Sequence, residues 1–507
     1  MIADAVPDVL IVGGGPVGLS MAIALRHLGV GCVVVEKHGS PLDFPRGRNL
    51  TVRTMELMRR WGLEVPLRAA GLPPSEVAVF IGDRLLAPTF HRFAAPISQP
   101  SVFTPSAPLV CFQNVTEVVL RDAARSVGAD IRYGWELIDA VEEFGGVTAS
   151  LVERGSSRTE TVRTSWLVAA DGAHSPTRER LGVGRHGPGV ITHAVSIVIE
   201  ADLRDRTSDR ASVLYRINGL PGGTLLAMDN DRDRWGLIYE YDPAVDSEES
   251  FTEPRLRDLA RTAIGDADLP LSIASIRFWK STALVADRFR LGRTFLVGDA
   301  AHVTTPIGGL GMNCGIADVD NLAWKLAAVV AGWADDSLLD SYEAERLPAA
   351  ELTVAASLGA ARPPAPIDGV VLGVSYESSA VIPDGTNPPI EADPVSDFVP
   401  SARPGRRAPH LWLDDAHEVS TLDLFGAGFV LLTTPAGSEW RAAMEGVAQF
   451  PIRAREIEHP EWPALYGIGP HGAVLVRPDG YVAFRAEGPP GAPSELRDAL
   501  SLVVGRR

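Results

Sequence analysis

A chain of 507 residues, 46% hydrophobic and 22% charged, can bury a large core and is too long for one compact domain, so about two to four domains are expected. A net charge of −17 argues against nucleic acid or an anionic membrane as the main partner. Three cysteines, Cys32, Cys111 and Cys314, lie far apart with no CxxC, which supports neither a disulfide framework nor a zinc site and fits a reducing cytosol.

The N-terminal MIADAVPD has no basic region or cleavage pattern. The longest apolar stretch, residues 9–25, is interrupted by glycines and Pro16, so no membrane span is expected. No internal repeat is visible. A cytoplasmic enzyme is the expectation.

The stretch 9–36 carries the strongest local signal. An apolar strand pattern, Val9–Val12, precedes Gly13-Gly14-Gly15-Pro16-Val17-Gly18, which fits G-x-G-x-x-G. A helical pattern covers residues 17–28, and a second apolar run, Cys32–Val35, ends in Glu36. Strand, glycine turn, helix, strand and terminal acid form one βαβ unit suited to a dinucleotide. Gly13 permits the sharp turn, Gly15 lets a pyrophosphate approach the backbone, and Gly18 lets helix and strand pack closely. The helix N-terminus offers unpaired N–H groups to phosphate, and Glu36 can accept from both ribose hydroxyls. At this point FAD and NAD both fit, and a purely structural βα turn is the plain alternative.

Residues 39–48 read as a Gly/Pro loop, and residues 51–61 as an amphipathic helix. Arg46, Arg48 and Arg53 cluster there. One of them can grip a pyrophosphate bidentately, or all can be solvated surface cations. Residues 72–110 look like short strands and loops. Gln113 opens a helix over 115–127 that carries Arg121, and strands near 130–133, 137–143, 147–152 and 160–164 follow. A buried-strand pattern at 166–170 ends in Asp171-Gly172-Ala173-His174-Ser175-Pro176-Thr177-Arg178, a loop suited to a nucleotide or a plain N-cap and turn.

Alternating runs between 183 and 286 predict an antiparallel sheet, a wall on which a substrate can lie. The run 229–234, DNDRDR, reads as a solvated hairpin tip rather than a metal loop. Tyr215, Tyr239, Tyr241 and Arg216 are the substrate-side candidates, each weighed against cross-strand packing. A further strand ends in Gly298-Asp299-Ala300-Ala301-His302 and runs into Pro306-Ile307-Gly308-Gly309-Leu310-Gly311-Met312-Asn313. A helix start is expected at Asn313, whose free N–H groups can stabilise negative charge on a ring oxygen. His302 is a candidate base, although packing is the commoner use of such a residue. A helix over 342–358, broken by Pro348, precedes a Pro/Gly-rich stretch, 361–408, that reads as a surface linker. Residues 409–507 form a separate α/β pattern.

Three motifs now stand in order: GGGPVG with Glu36, DGAHSPTR, and GDAAHVTTPIGGLGMN. Together they resemble the single-component FAD-dependent aromatic hydroxylases, the group with the p-hydroxybenzoate hydroxylase fold. CGIADVDNLAWKL and the tail segments HLWLDD, STLDLFG and GAVLVRPDGYVAFR resemble its phenol and polyketide hydroxylase branch, whose tail is a thioredoxin-like domain without redox cysteines. The tail here has no cysteine.

The resemblance implies an α/β fold: a Rossmann-like FAD-binding domain (1–75, 105–182 and 287–360), an antiparallel-sheet substrate domain (76–104 and 183–286), a linker (361–408) and a thioredoxin-like domain (409–507). It implies that Gly13, Gly15, Pro16, Gly18, Glu36 and Lys37 hold the ADP half of FAD, with Arg46 near the pyrophosphate. Gln113, Arg121, Asp171 and Asp299 would contact the cofactor, Asp299 at its ribityl chain. Pro306, Gly308, Gly311, Met312 and Asn313 would face the flavin ring. Leu310, where Gln or Arg is usual, and Cys314, where Thr or Ser is common, depart from the pattern. The implied reaction uses NADPH or NADH and O2 to hydroxylate a phenolic or polyketide-type aromatic through a flavin hydroperoxide. Baeyer–Villiger oxygenation and epoxidation by the same flavin species, and a non-catalytic FAD module, are the alternatives. No catalytic base and no metal ligand set is assigned. A monomer or homodimer is expected, with no nucleic acid or membrane partner.

Overall fold

The structure is a computed structural model and describes residues 6–41, 47–73, 77–94, 101–143, 145–228, 232–359 and 367–506. Strand β1 (Val9–Val12) leads into helix α1 (Pro16–His27), and the chain returns as strand β2 (Cys32–Glu36). β1 pairs in parallel with β2 on one side and with Trp166–Ala169 on the other, inside a six-stranded sheet. All four residues of β1 are buried, as a strand covered on both faces requires. Asp130–Tyr133 extends the sheet beyond β2, and Thr294–Leu296 beyond Trp166–Ala169. The parallel strands all end on one edge, where ligands of such sheets gather. Gly13, Asp171 and Asp299 lie just beyond those strand ends, and Glu36 is the last residue of β2. Helix α2 (Val52–Arg60) follows the loop after β2 and is capped by the Thr51 side chain.

The second unit is an eight-stranded sheet. Strands β3 (Arg185–Glu200), β4 (Leu214–Ile217), β5 (Thr224–Ala227), β6 (Arg234–Tyr241) and β7 (Ser272–Ala286) form its centre. Ala78–Gly82 and His91–Ala94 add to one edge and His302–Val303 to the other. Every neighbouring pair is antiparallel except β4 with Ala78–Gly82. Helix α3 (Glu253–Ile264) sets Leu256, Ala260, Ala263 and Ile264 in one stripe against Phe80, Tyr215, Trp235 and Leu237 on the sheet.

Helix α4 (Leu310–Val330) begins three residues before the expected Asn313. Gly308 and Gly309, at φ 79° and 64°, complete the reversal earlier than side chains alone would suggest. Helix α5 (Asp340–Gly359) runs through Pro348 without the expected break. Glu345, Arg346, Ala349 and Ala350 on either side are buried and hold it to the core. The stretch 361–408 reads as a surface linker; residues 381–401 do lie at the surface, but the described parts on either side pack inward. Asp368–Leu372 is a helical turn, and Tyr376, Ala380, Arg406, Arg407 and Ala408 are buried. Its Pro/Gly content dictates an irregular backbone, which is not the same as an exposed one.

The last unit holds β8 (Phe429–Thr433), β9 (Ile452–Glu456), β10 (Ala473–Val476) and β11 (Val482–Ala486) in the order β9-β8-β10-β11. β8 and β9 are parallel and the other pairs antiparallel, the mixed sheet of a thioredoxin-like domain. Among the described residues no helix is long and apolar enough to cross a membrane.

Candidate active site

The three glycines of the first turn differ in surroundings. A Cβ on Gly13 would overlap the Ala170 carbonyl, and one on Gly18 would overlap the Gly13 carbonyl, so both positions are closed by backbone. A Cβ on Gly15 would meet nothing within 4 Å. The middle glycine therefore faces open space at the start of α1, whose N-terminus has Pro16 in its first turn and no side-chain cap. That is the arrangement a pyrophosphate needs: room at the backbone and unclaimed N–H donors. Glu36 reaches back to this turn and accepts from the Gly14 N–H at 2.7 Å and the His38 N–H at 2.9 Å. Tyr133 lies opposite Glu36 on the neighbouring strand, and its buried hydroxyl has no partner among the described residues. Burial raises the pKa of that phenol. Lys37 follows Glu36 on the same loop.

Arg46 lies outside the described residues. Arg48 is half-buried, and its Nη1 donates to the Val213 carbonyl at 2.9 Å, so it bridges the first unit to the large sheet. Burial pushes its guanidinium down to about 10. Arg53 points away from the glycine turn into a buried ionic network. Gln113 accepts from the Gly47 N–H at 2.9 Å and donates to Glu117 at 2.8 Å. The Met312 side chain reaches to 4.0 Å from where a Gly47 Cβ would stand, so Gln113, the 47–48 loop and Met312 meet in one place. Arg121 pairs with Asp122 at 2.8 Å on the outer side of its helix. The Asp171 carboxylate is taken up by its own loop, accepting from Ser175 Oγ at 2.5 Å and the Thr177 N–H at 3.0 Å. It shapes the loop against the glycine turn.

The Gly298-Asp299 turn packs on α1 through Val17, which also touches the position of a Gly315 Cβ on α4. Asp299 is exposed, with one carboxylate oxygen 4.0 Å from the position of a Gly311 Cβ. Pro306, Gly308 and Gly311 belong to the turn that feeds α4, and no side chain caps this helix. The Asn313 side chain is fully engaged within the protein. Its Oδ1 accepts from the Thr51 N–H at 2.9 Å and from Thr54 Oγ1 at 2.6 Å, and its Nδ2 donates to the Asn49 and Gly309 carbonyls at 2.9 and 2.7 Å. Asn313 therefore pins the turn to the start of α2. Asn49 and Tyr133 were not marked in the sequence. Their only signal is adjacency to Leu50 and Glu36, which needs the fold to be read.

His302 is no surface base. It is 1% exposed and donates from Nε2 to Asp318 at 2.7 Å, while Arg346 donates to the other Asp318 oxygen at 2.8 Å. Despite its burial, the neighbouring Cys314 and Asp318 hold His302 well above the usual imidazole range. Cys314 Sγ completes a group of three potential metal ligands. Arg346 already approaches both Asp318 and Cys314 Sγ, the latter at 3.4 Å, and supplies the cation itself.

The large sheet corrects the substrate candidates. Side chains alternate between faces. Tyr215 is fully buried against α3, and its hydroxyl takes part in bonds with the Ser212 N–H and with Arg232 at 2.8 Å. Tyr239 and Tyr241 point to the same side and pack edge-on and tilted, respectively, against Phe251. Arg232, placed at a solvated tip in the sequence, is 7% exposed there; Asp229 to Asp231 lie outside the described residues. The opposite face packs Val79 and Leu214 against Val110 of the first unit. Register puts Arg216, Leu226, Ile238, Ser196 and Trp279 on that face too, with Trp279 Nε1 donating to Ser196 Oγ at 2.8 Å.

A family model for an FAD binding domain matches residues 7–357, and one for the C-terminal part of aromatic-ring hydroxylases matches residues 401–506. The chain is 37% identical to tetracenomycin A2 monooxygenase-dioxygenase of Streptomyces glaucescens, covering 100% of this chain and 98% of that protein. It is 36% identical to aklavinone 12-hydroxylase RdmE of Streptomyces purpurascens, covering 98% and 99%. Its fold matches aklavinone-11 hydroxylase, solved with FAD and aklavinone, at a TM-score of 0.91 and 35% identity over 100% of both chains. The flavin-dependent monooxygenase PieE, solved with FAD and substrate, matches at 0.89 and 30% identity over 99% of this chain and 100% of that one.

Proposed function

Because the chain belongs to the FAD-dependent aromatic-ring hydroxylases, we propose that it hydroxylates a polycyclic phenol of the polyketide type. The observation that carries this reading is the sheet face turned toward the first unit. Leu214 packs there on Val110, and Leu226, Ile238 and Trp279 are half-buried on the same face, an apolar wall edged by Arg216 and Ser196. Such a wall suits a flat ring system better than a single small ring. The curated relatives that act on tetracenomycin and aklavinone support the same class.

FAD, reduced by NAD(P)H, supplies the electrophilic oxygen from O2 when bound. The rest falls to the residues of the chain. The open backbone at Gly15 and the start of α1 would take the pyrophosphate, and Arg48 would answer its charge. Glu36 would exchange its bond from Gly14 for the ribose hydroxyls, with Tyr133 beside it. Asp299 would accept from the ribityl hydroxyls. The uncapped N–H groups of α4 would face the ring and stabilise negative charge on it. Asn313 would act by holding that turn. The apolar wall would orient the phenol and exclude water. We read the sheet with Ala78–Gly82 and His91–Ala94 as the substrate domain and the unit after residue 408 as a separate domain. The charge of −17 and the cysteine pattern favour a cytoplasmic protein with no nucleic acid or anionic membrane as its main partner, and a monomer or homodimer completes the proposal.

Incubating the FAD-loaded protein with NADPH or NADH and a panel of mono- and polycyclic phenols tests the reading. Polycyclic phenols should stimulate oxidation with little peroxide. A response confined to monocyclic phenols would refute the substrate class, and no response to any aromatic would favour a carrier role.

A further inference from the structure

The reading above leaves two motifs without a role: ADVDNLAWKL in α4 and RPDGYVAFR in the last domain. The fold brings them together. The turn between β10 and β11, Arg477 to Tyr481, lies against α2, α4 and α5. Arg477 reaches both oxygens of Glu345 on α5, at 2.6 and 2.9 Å, and Lys325 on α4 shares that carboxylate at 2.7 Å. Trp324 Nε1 donates to Asp479 at 3.1 Å. Arg53, at the start of α2, joins all three segments. Its Nη1 donates to Glu56 at 2.9 Å, and its Nη2 donates to Asp320 on α4 at 2.8 Å and to the Asp479 carbonyl at 2.9 Å. Glu56 in turn binds Arg407 through both its oxygens. Arg53, Glu56, Asp320, Glu345, Arg407, Arg477 and Asp479 are all buried.

The residues flanking Arg53 are the ones that hold Asn313. Thr51 donates its N–H and Thr54 its hydroxyl to the same Asn313 oxygen. Behind Asn313 lies a cavity of about 40 Å³, lined by Thr51, Arg53, Leu310, Cys314, Arg346 and Tyr481 among others. The turn that feeds α4 packs through Leu310 on Ala356 and Val370 and is tied by Thr305 to Ser357, but on the cavity side Asn313 meets α2 through the Thr51 and Thr54 bonds. Arg53 lies between those two threonines and carries the ionic contacts of the same stretch.

We propose that Arg53 is a positioning residue that ties the C-terminal domain to the turn before α4, so that the Asp479 turn sets the geometry of the flavin ring site. The proposal rests on the FAD reading above and extends it. It gives the cysteine-free thioredoxin-like domain a mechanical role. A charged side chain with buried partners on α2, α4 and the Asp479 turn is held in one arrangement, and loss of a partner leaves an uncompensated group beside the Asn313 bonds.

Three variants loaded with FAD test this: Arg53→Met, Thr54→Val and Asp384→Asn. Thr54→Val leaves every charge in place and removes the bond to Asn313 together with the longer contact from Thr51 Oγ1 at 3.4 Å. Asp384→Asn disturbs Arg485 in the same C-terminal domain, away from α2. The readouts are the visible absorption of bound FAD, the melting temperature, and the share of NAD(P)H oxidation that appears as peroxide. Arg53→Met and Thr54→Val should shift the flavin bands and raise the peroxide share about threefold or more, because small misplacements at a reacting centre are costly. Asp384→Asn should lower the melting temperature and change neither. An unchanged flavin spectrum and peroxide share in Thr54→Val and Arg53→Met, with only lower melting temperatures, would overturn the proposal. If Arg53→Met does not fold, Thr54→Val decides alone. If the unmodified protein oxygenates no aromatic, the substrate reading fails while the flavin spectra still decide this one.

Discussion

Glu36 shows how much a single residue can say. An acid at the end of the second strand predicts a ribose contact, and the fold sets its carboxylate on the Gly14 N–H at 2.7 Å, beside the open space in front of Gly15. The three glycines were readable as three different needs, because each need is a local property of backbone. Glu36→Ala should weaken FAD retention by about 1.5–3 kcal/mol, the worth of hydrogen bonds to a charged group. Equilibrium dialysis of FAD checks this, and unchanged affinity would remove the ribose role. Asn313 was readable only in part. Its place in the ring turn follows from the motif, but four bonds to protein partners occupy its side chain. Gly309 is one helical turn away, but Asn49, Thr51 and Thr54 are brought to it by chain folding across more than 250 residues, which no local pattern reveals. His302 went the same way: its partner Asp318 is one α4 turn beyond Cys314, and only the fold buries all three.

Among elements, the strands of the large sheet were legible as alternating runs. Their facing was not. Alternation fixes which residues share a side, but the identity of the covered side depends on α3, whose apolar stripe claims Tyr215, Trp235 and Leu237. Aromatic residues attract attention as ligand contacts, and here Tyr215 is core while Tyr239 and Tyr241 pack half-buried on the same side. Trp279, held by Ser196, lies on the open side instead. Trp279→Ala should raise KM for a polycyclic phenol about tenfold, consistent with removal of one large aromatic contact worth roughly 1.5 kcal/mol. Tyr239→Phe should leave KM within about twofold, as expected for a residue without substrate contact. Steady-state kinetics with one phenol settles both, and the reverse ranking would place the substrate on the other face. The α4 start was misplaced by three residues because two successive left-handed glycines can finish a turn that a side-chain pattern does not mark.

Across the whole molecule, the fold class and the FAD-dependent hydroxylase family were readable from motif order, which spans distant segments and so carries global information. The seam between the first and last domains was not readable. It is a buried polar seam: Arg477 pairs with Glu345, Trp324 donates to Asp479, and Arg53 donates to the Asp479 carbonyl. Arg477→Met would leave Asp479 without its paired cation and Glu345 with Lys325 alone inside the protein, a loss of about 3–5 kcal/mol for a broken buried pair. Denaturant titration of the FAD-free protein checks it; a change within experimental scatter would mean that the seam carries no stability. The central claim concerns the reaction itself. The most direct measurement is the mass of the product formed from a polycyclic phenol and NADPH under 18O2 in ordinary water. One labelled oxygen atom per hydroxylated product is the predicted result, and a product whose new oxygen comes from water would contradict it.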